Sequence, residues 1–370
     1  MGTTDDAADW GRLDLAWAGI REHVLDLDGR PVRVLRVEAD GGGTEPQLLV
    51  HGLGGAASNW IDVMGGLRRY GPVVALDLPG FGHTPLASAS AVGVAGHAEV
   101  VLAAADALGW DRFALHGNSM GGLVATLIAA AHPERVARLV LVSPALPPSC
   151  PLAMIPPPRA TVVGVLPMAL PARRTRQLMR LIFTEPEGVR PSLLQVMAAD
   201  SRPRDQQEAE DHKQALIQST RSIARHWVDP RHLYRSIDAV QAPTLLLGGT
   251  ADALVPARVL RKVLARRSDW AGAVLDEHRH ALMLDDPTEF LEEGRQVEQV
   301  AQREAAHHAV DRSVGNGESE NVGLDPRAAG PVGGQHPETE VHGDGVHSGI
   351  RQVDAQVAGA GGQVEHGRAG

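Results

Sequence analysis

The sequence predicts an α/β chain: a doubly wound, mostly parallel sheet with a helical cap insertion and a disordered C-terminal tail. Three observations predict it. Short apolar runs of strand type alternate with helical segments from Gln47 onward, which implies a parallel sheet covered on both faces. The alternation breaks between about Ala145 and Ser236, where prolines cluster and helical patterns occur with no strand-like run. Beyond about Gly294 the aromatic residues stop, and from Ala301 onward there is a single leucine, Leu324, and a single isoleucine, Ile350. Such a segment cannot bury enough apolar surface to offset its ordering entropy. The same Gly-, Val-, His- and Arg-rich text also reads as a shifted frame in GC-rich coding DNA, a bias that would explain why lysine occurs only at Lys213 and Lys262. The expected organisation is an N-terminal extension over 1–20, core over 21–144, cap over 145–236, core again over 237–296 and tail over 297–370.

Taken in order, Glu22 to Leu27 and Pro31 to Val37 flank Asp28-Gly29, a strong short-range hairpin signal. Gln47 to Val50 is a buried-strand run that stops at His51-Gly52-Leu53-Gly54-Gly55. A helix is expected from Ser58, as N-cap, to Arg69, then the strand Val73 to Leu76 and the turn Asp77-Leu78-Pro79-Gly80-Phe81-Gly82, whose acid is expected to fix the turn itself. An Ala-rich helix covers Val92 to Leu108, a strand Arg112 to Leu115, a helix Leu123 to Ala131 and a strand Val136 to Val142. Within the insertion, helices are expected around Arg173 to Phe183 and Gln206 to Trp227. The sheet resumes with Pro243 to Leu247, a helix with Pro256 in its first turn, the strand Ala273 to Leu275 and a closing helix from Pro287.

Composition narrows the partners. A formal net charge of −10 over 370 residues argues against a nucleic-acid or anionic-membrane surface and leaves a small-molecule partner. Cys150 is alone, so no internal disulfide or thiolate metal site is expected, and a reducing cytoplasm fits. The acidic start (Asp5, Asp6, Asp9) does not resemble a secretory signal, and no apolar run approaches the roughly 18 residues of a membrane span. The tail histidines, among them His307, His308, His336, His342, His347 and His366, show no ligand spacing. No metal or other cofactor is expected, and no oligomeric state is implied.

Gly117-Asn118-Ser119-Met120-Gly121 fits the G-x-S-x-G pattern, in which a serine sits on a sharp strand-to-helix turn with its hydroxyl exposed. The motif alone arises by chance in a Gly-rich chain, and Ser119 could serve only as a helix N-cap; the strand before it and the helix after it favour the catalytic reading. A serine hydroxyl is a poor nucleophile until a histidine accepts its proton and a carboxylate holds that imidazole. Asp252 follows the strand ending at Leu247, and His280 follows the strand ending at Leu275. The order Ser119, Asp252, His280 accompanies such an elbow in a doubly wound sheet. His278 is a rival base, and Asp252 could serve only as a turn cap.

Together these residues resemble the α/β-hydrolase family across roughly Glu22 to Glu293. His51-Gly52-Leu53-Gly54-Gly55 matches its oxyanion loop, Asp77 to Gly82 its Asp-x-Pro-Gly-x-Gly turn, and Gly249-Thr250-Ala251-Asp252 with Val255-Pro256 its acid loop. His280 through Pro287 matches the terminal pattern, except that Arg279 stands where the family has glycine. The resemblance implies an oxyanion hole from the backbone amides of Leu53 and Met120. His51 is expected to orient the loop by hydrogen bonding, His51, Gly52 and Trp60 to adjoin the substrate, with Met120 and Trp60 lining an acyl pocket, and the insertion to be a lid that sets specificity. A serine at the elbow disfavours the related haloalkane dehalogenases and epoxide hydrolases, which attack by carboxylate. Hydrolysis of a small-molecule carboxylic ester is therefore expected. Carbon-carbon bond hydrolysis of dienoate ring-cleavage products is an alternative, because Gly117 to Gly122 is similar to their elbow, although Ala281 stands where many of them carry an aromatic. A cofactor-free perhydrolase and a non-catalytic hydrolase-fold binding protein are further alternatives; retention of all three triad candidates argues against the last.

Overall fold

Two extended segments and a tight turn open the sheet, as the Asp28-Gly29 pair predicts. In the computed structural model, which describes residues 10–86, 92–147 and 189–295, β1 (Arg21–Asp26) pairs antiparallel with β2 (Pro31–Val37). Asp28 and Gly29 both take the left-handed backbone, φ 54° and 79°, that a two-residue hairpin of matching twist requires. Six parallel strands follow: β3 (Gln47–Val50), β4 (Val73–Leu76), β5 (Phe113–Asn118), β6 (Val136–Val142), β7 (Thr244–Gly249) and β8 (Ala271–Leu275). The eight strands lie in the order β1-β2-β4-β3-β5-β6-β7-β8, with β1/β2 and β2/β4 antiparallel and the remaining pairs parallel.

That order places the site. The chain moves from β3 outward to β4, then crosses back to β5 on the other side of β3, so the loops after β3 and β5 open beside each other at the carboxyl ends of the strands. Strands β3, β4, β5 and β7 are buried along their whole length, as strands covered on both faces must be. One apolar cluster joins β5 and β6 to α2 (Val94–Ala107), α3 (Met120–Ala131), α6 (Pro230–Ala239) and α7 (Ala257–Arg266). A second lies on the opposite face, under α1 (Ile61–Leu67), α4 (Pro191–Asp200) and α8 (Leu282–Asp285), and includes Trp17, Trp60 and Phe290.

Several boundaries differ from expectation for identifiable reasons. Ser58 does not cap a helix: a 3-10 turn, Ala57–Trp60, precedes α1, and its free amides go to Asn59 Oδ1 (from Ala56, 2.6 Å) and Asp77 Oδ1 (from Ala57, 2.6 Å). Strand β5 continues through His116-Gly117-Asn118 because the parallel ladder with β6 holds to Asn118 opposite Val142. Helix α4, with Pro191 in its first turn, was not expected at all. The long helix α5 (Gln206–Val228) ends at Asp229, and Pro230 opens α6 as a separate element. Pro256 precedes α7 as its N-cap instead of lying within the first turn. The expected helix at 173–183, much of the cap entry and the tail at 297–370 lie outside the described residues.

Candidate active site

The elbow is built by backbone proximity. A Cβ on Gly117 would lie 2.4 Å from Gly121 O, and one on Gly121 would lie 2.3 Å from Val50 O, so only glycine lets β5, α3 and β3 meet this closely. Between them Ser119 adopts φ 53° and ψ −113°, a backbone conformation rare for an L-residue with a side chain. The strain is held by three backbone bonds: Ser119 N–H donates to Val142 O (3.0 Å), and Ser119 O accepts from Leu123 (3.1 Å) and Ala145 (2.8 Å). Ser119 is half-buried, at the carboxyl edge of the sheet.

Asp252 and His280 meet at the same edge. His280 Nδ1 lies 2.8 Å from Asp252 Oδ2, and both residues are buried. Asp252 Oδ1 accepts the amides of Leu254 (2.7 Å) and Val255 (2.9 Å), which fix the carboxylate in its loop. Burial pushes the Asp252 carboxyl up, but the facing His280 and the hydrogen bonds from His280 and Val255 outweigh it, so its pKa falls below the ordinary carboxylate value. An ionised carboxylate is acceptor-only, so Nδ1 carries the imidazole proton and Nε2 is left as the basic nitrogen. The rival His278 is engaged elsewhere: its Nδ1 lies 2.8 Å from Asp276 O and its Nε2 3.6 Å from Asp286. The left-handed backbone of this loop falls on Glu277, φ 63°, so arginine at position 279 needs no glycine-like conformation.

Sequence reasoning missed Asn118. Its Nδ2 donates to Val142 O and to His280 O, both at 3.1 Å, and so ties the elbow to the loop that carries the imidazole. The variable position of a G-x-S-x-G motif gives no hint of that link. Leu53 and Met120, the expected oxyanion donors, have amides that donate to no protein group among the described residues. The Met120 amide opens α3, where the first N–H groups lack intrahelical partners and the helix dipole favours negative charge. Gly52 packs against Ser119: a Cβ there would lie 3.1 Å from Ser119 Cβ.

Two expectations about the pocket separate here. His51 is fully buried; its Nε2 accepts the Leu78 amide at 3.0 Å, which leaves the proton on Nδ1, 2.7 Å from Gly52 O. Burial holds this imidazole below its ordinary pKa, in agreement with a neutral ring that braces the loop from behind. Trp60 does not adjoin the Ser119 edge. It is fully buried in the second core cluster, its ring edge-on to His116 (6.3 Å) and Phe290 (6.0 Å), because the 3-10 turn carries it under the sheet. Among the described residues no group of His, Cys, Asp and Glu side chains is arranged to hold a metal ion. Nor is any described helix long and apolar enough to cross a membrane.

The model of the alpha/beta hydrolase fold family matches residues 46–287 of this chain. A pimeloyl-[acyl-carrier protein] methyl ester esterase of Neisseria meningitidis serogroup B is 30% identical over 253 residues, covering 65% of this chain and 88% of that protein. A 2-hydroxy-6-oxononadienedioate/2-hydroxy-6-oxononatrienedioate hydrolase of Paraburkholderia phymatum is 24% identical over 243 residues, covering 65% and 82%. Among solved structures, 2-hydroxy-6-oxo-6-phenylhexa-2,4-dienoate hydrolase from Rhodococcus sp. strain RHA1 superposes with a TM-score of 0.62 at 22% identity, covering 75% of this chain and 99% of that one.

Proposed function

This chain belongs to the alpha/beta hydrolase fold family, and from that premise we propose that it is a serine hydrolase that cleaves a small-molecule carboxylic ester through an acyl-enzyme on Ser119. The observation that carries the proposal is the Asp252–His280 pair, 2.8 Å from Oδ2 to Nδ1, at the sheet edge that also bears Ser119 on its strained turn. Ser119 Oγ attacks the ester carbonyl while His280 Nε2 takes its proton, and Asp252 stabilises the imidazolium. The tetrahedral oxyanion lies against the amides of Leu53 and Met120, each of which is worth about 100- to 1000-fold in rate in comparable sites. His280 returns the proton to the leaving alkoxide. Water, deprotonated by His280, then attacks the acyl-enzyme, and His280 hands that proton to Ser119 Oγ as the acid leaves, which restores the serine and the neutral imidazole. Each step balances with water as the second substrate.

The methyl ester named for the Neisseria relative supports an ester as the bond cleaved. The cap, read as a lid, is assigned the choice of acyl group, and the reducing cytoplasm is assigned as the working compartment. Ser119→Ala tests the proposal: p-nitrophenyl acetate hydrolysis should fall at least about 1000-fold while the circular dichroism spectrum is retained. Wild-type turnover by a folded Ser119→Ala protein overturns it. A dienoate ring-cleavage substrate and peracid formation, assayed beside the ester, reassign the bond if either outpaces ester hydrolysis.

A further inference from the structure

One buried side chain at the elbow touches three separate segments of the site. Asn118 ends β5, is 5% exposed and directly precedes Ser119. Its Nδ2 donates to Val142 O, at the end of β6, and to His280 O, each at 3.1 Å. Its Oδ1 faces the loop after β3, where a Cβ on Gly52 would lie 2.9 Å from it. Two carbonyl acceptors require both hydrogens of the NH2 group, so the amide has one orientation; turned over, it would set Oδ1 against them.

The sheet does not need this side chain. Asn118 already pairs with Val142 in the β5–β6 ladder, and Val142 O also accepts the Ser119 N–H at 3.0 Å. The segment of His280 has less to hold it. Asp252 holds the imidazole at 2.8 Å, while His280 O accepts from Asn118 and from no backbone N–H among the described residues. Removing the amide therefore leaves Val142 O with a donor and takes from His280 O the one it has. The effect falls on the base and not on the strand.

We propose that Asn118 is a positioning residue: its amide fixes the backbone of His280 against the elbow and so keeps Nε2 within reach of Ser119 Oγ and of the leaving group. The proposal rests on the serine-hydrolase reading for the role of His280. Proton transfer needs hydrogen-bond reach, and a displacement of about 1 Å at a reacting group can cost about 100-fold in rate. Asn118 exchanges no proton in this role, so the loss falls on kcat and KM is spared.

Asn118→Ala and Asn118→Asp, made in the full chain and assayed with p-nitrophenyl acetate from about pH 5 to 8, test it. Asn118→Ala should lose roughly 30- to 100-fold in kcat. Its thermal midpoint should fall by only a few degrees, the cost of one hydrogen bond. Asn118→Asp keeps the volume, and its pH profile is a readout that a purely structural role would not move. The new carboxyl is buried and faces two carbonyl oxygens, so burial and those oxygens raise its pKa above the ordinary carboxylate value. Protonated, it donates to one carbonyl; ionised, it repels both. The ratio of wild-type to Asn118→Asp kcat should therefore grow at least about threefold from pH 5 to 8. A kcat within about threefold of wild type in folded Asn118→Ala, or a ratio for Asn118→Asp that stays constant with pH, overturns the proposal. Should Asn118→Ala not fold, the Asn118→Asp profile decides alone. If wild type turns over no ester but a fluorophosphonate labels Ser119, the labelling rate replaces kcat with the same expected ratios. If Ser119 neither turns over nor labels, the serine-hydrolase reading fails on its own, and proton NMR decides the placing of His280. A downfield Nδ1–H signal lost in Asn118→Ala keeps the positioning role, and one left unchanged removes it.

Discussion

Replacing Asp252 with asparagine should stop catalysis while leaving the fold in place, and the hydrogen bonds say why. Asp252 Oδ1 accepts two amides, from Leu254 and Val255, and Oδ2 faces His280 Nδ1. Asparagine has one oxygen. The two backbone donors hold it, so the NH2 group must face Nδ1. Nδ1 then accepts, and the imidazole proton moves to Nε2, the nitrogen required to take the proton of Ser119. The matching substitution in a serine protease triad lowers kcat about 10⁴-fold, or ~5.5 kcal/mol in the barrier. Because both amides stay satisfied and the volume is unchanged, the thermal midpoint should move by only a few degrees. Steady-state hydrolysis of p-nitrophenyl acetate, with a thermal melt on the same sample, measures both. A folded Asp252→Asn protein that loses less than tenfold in kcat would refute the tautomer argument.

Three further outcomes follow from packing and charge. Gly121→Ala places a Cβ 2.3 Å from Val50 O and 2.6 Å from His51 O, both backbone; urea unfolding should show a loss of at least about 2 kcal/mol, and an unchanged midpoint contradicts the packing. Arg33→Met removes the cation between Asp77 and Asp200, and leaving buried carboxylates uncompensated should cost about 3–5 kcal/mol in the same assay. His97 and His116 are buried, and burial pushes each pKa down to about 3. Between about pH 6.5 and 3 the unfolded chain therefore binds more protons than the native one, so stability is full above that window and declines as pH falls through it. From about pH 8 to 5.5 the loss should be ~1.4 kcal/mol for each histidine; stability that rises on acidification over that range would exclude the buried neutral rings.

Much of the candidate site is legible in the sequence because its geometry is local. The elbow must bring β5, α3 and β3 into backbone contact, so its glycines appear in the sequence at fixed offsets from Ser119. Asp252 and His280 each follow an apolar strand, and strand ends are readable from periodicity alone. What escaped depends on pairing between distant segments. Asn118 reaches His280 across 162 positions, and Arg33 joins β2 to α4 across 167, with no spacing to announce either. Trp60 shows the converse: it is expected to adjoin the substrate, whereas the 3-10 turn that carries it packs its ring into the core against His116 and Phe290. The end of β5 was misplaced because His116-Gly117-Asn118 has the composition of a turn, although the ladder with β6 keeps it extended. Helix α4 has its proline at the start, but only three of its residues, Leu193, Val196 and Asp200, are buried, a weak apolar stripe to read.

The central claim is that Ser119 is a nucleophile made reactive by its neighbours. Incubation with a fluorophosphonate, followed by peptide mass spectrometry, tests it most directly. The expected result is one stoichiometric adduct on Ser119, absent in Ser119→Ala and formed at least about 100-fold more slowly in Asp252→Asn, where the base has lost its acceptor nitrogen. An unlabelled Ser119 in folded wild-type protein, or equal labelling rates in wild type and Asp252→Asn, would contradict it.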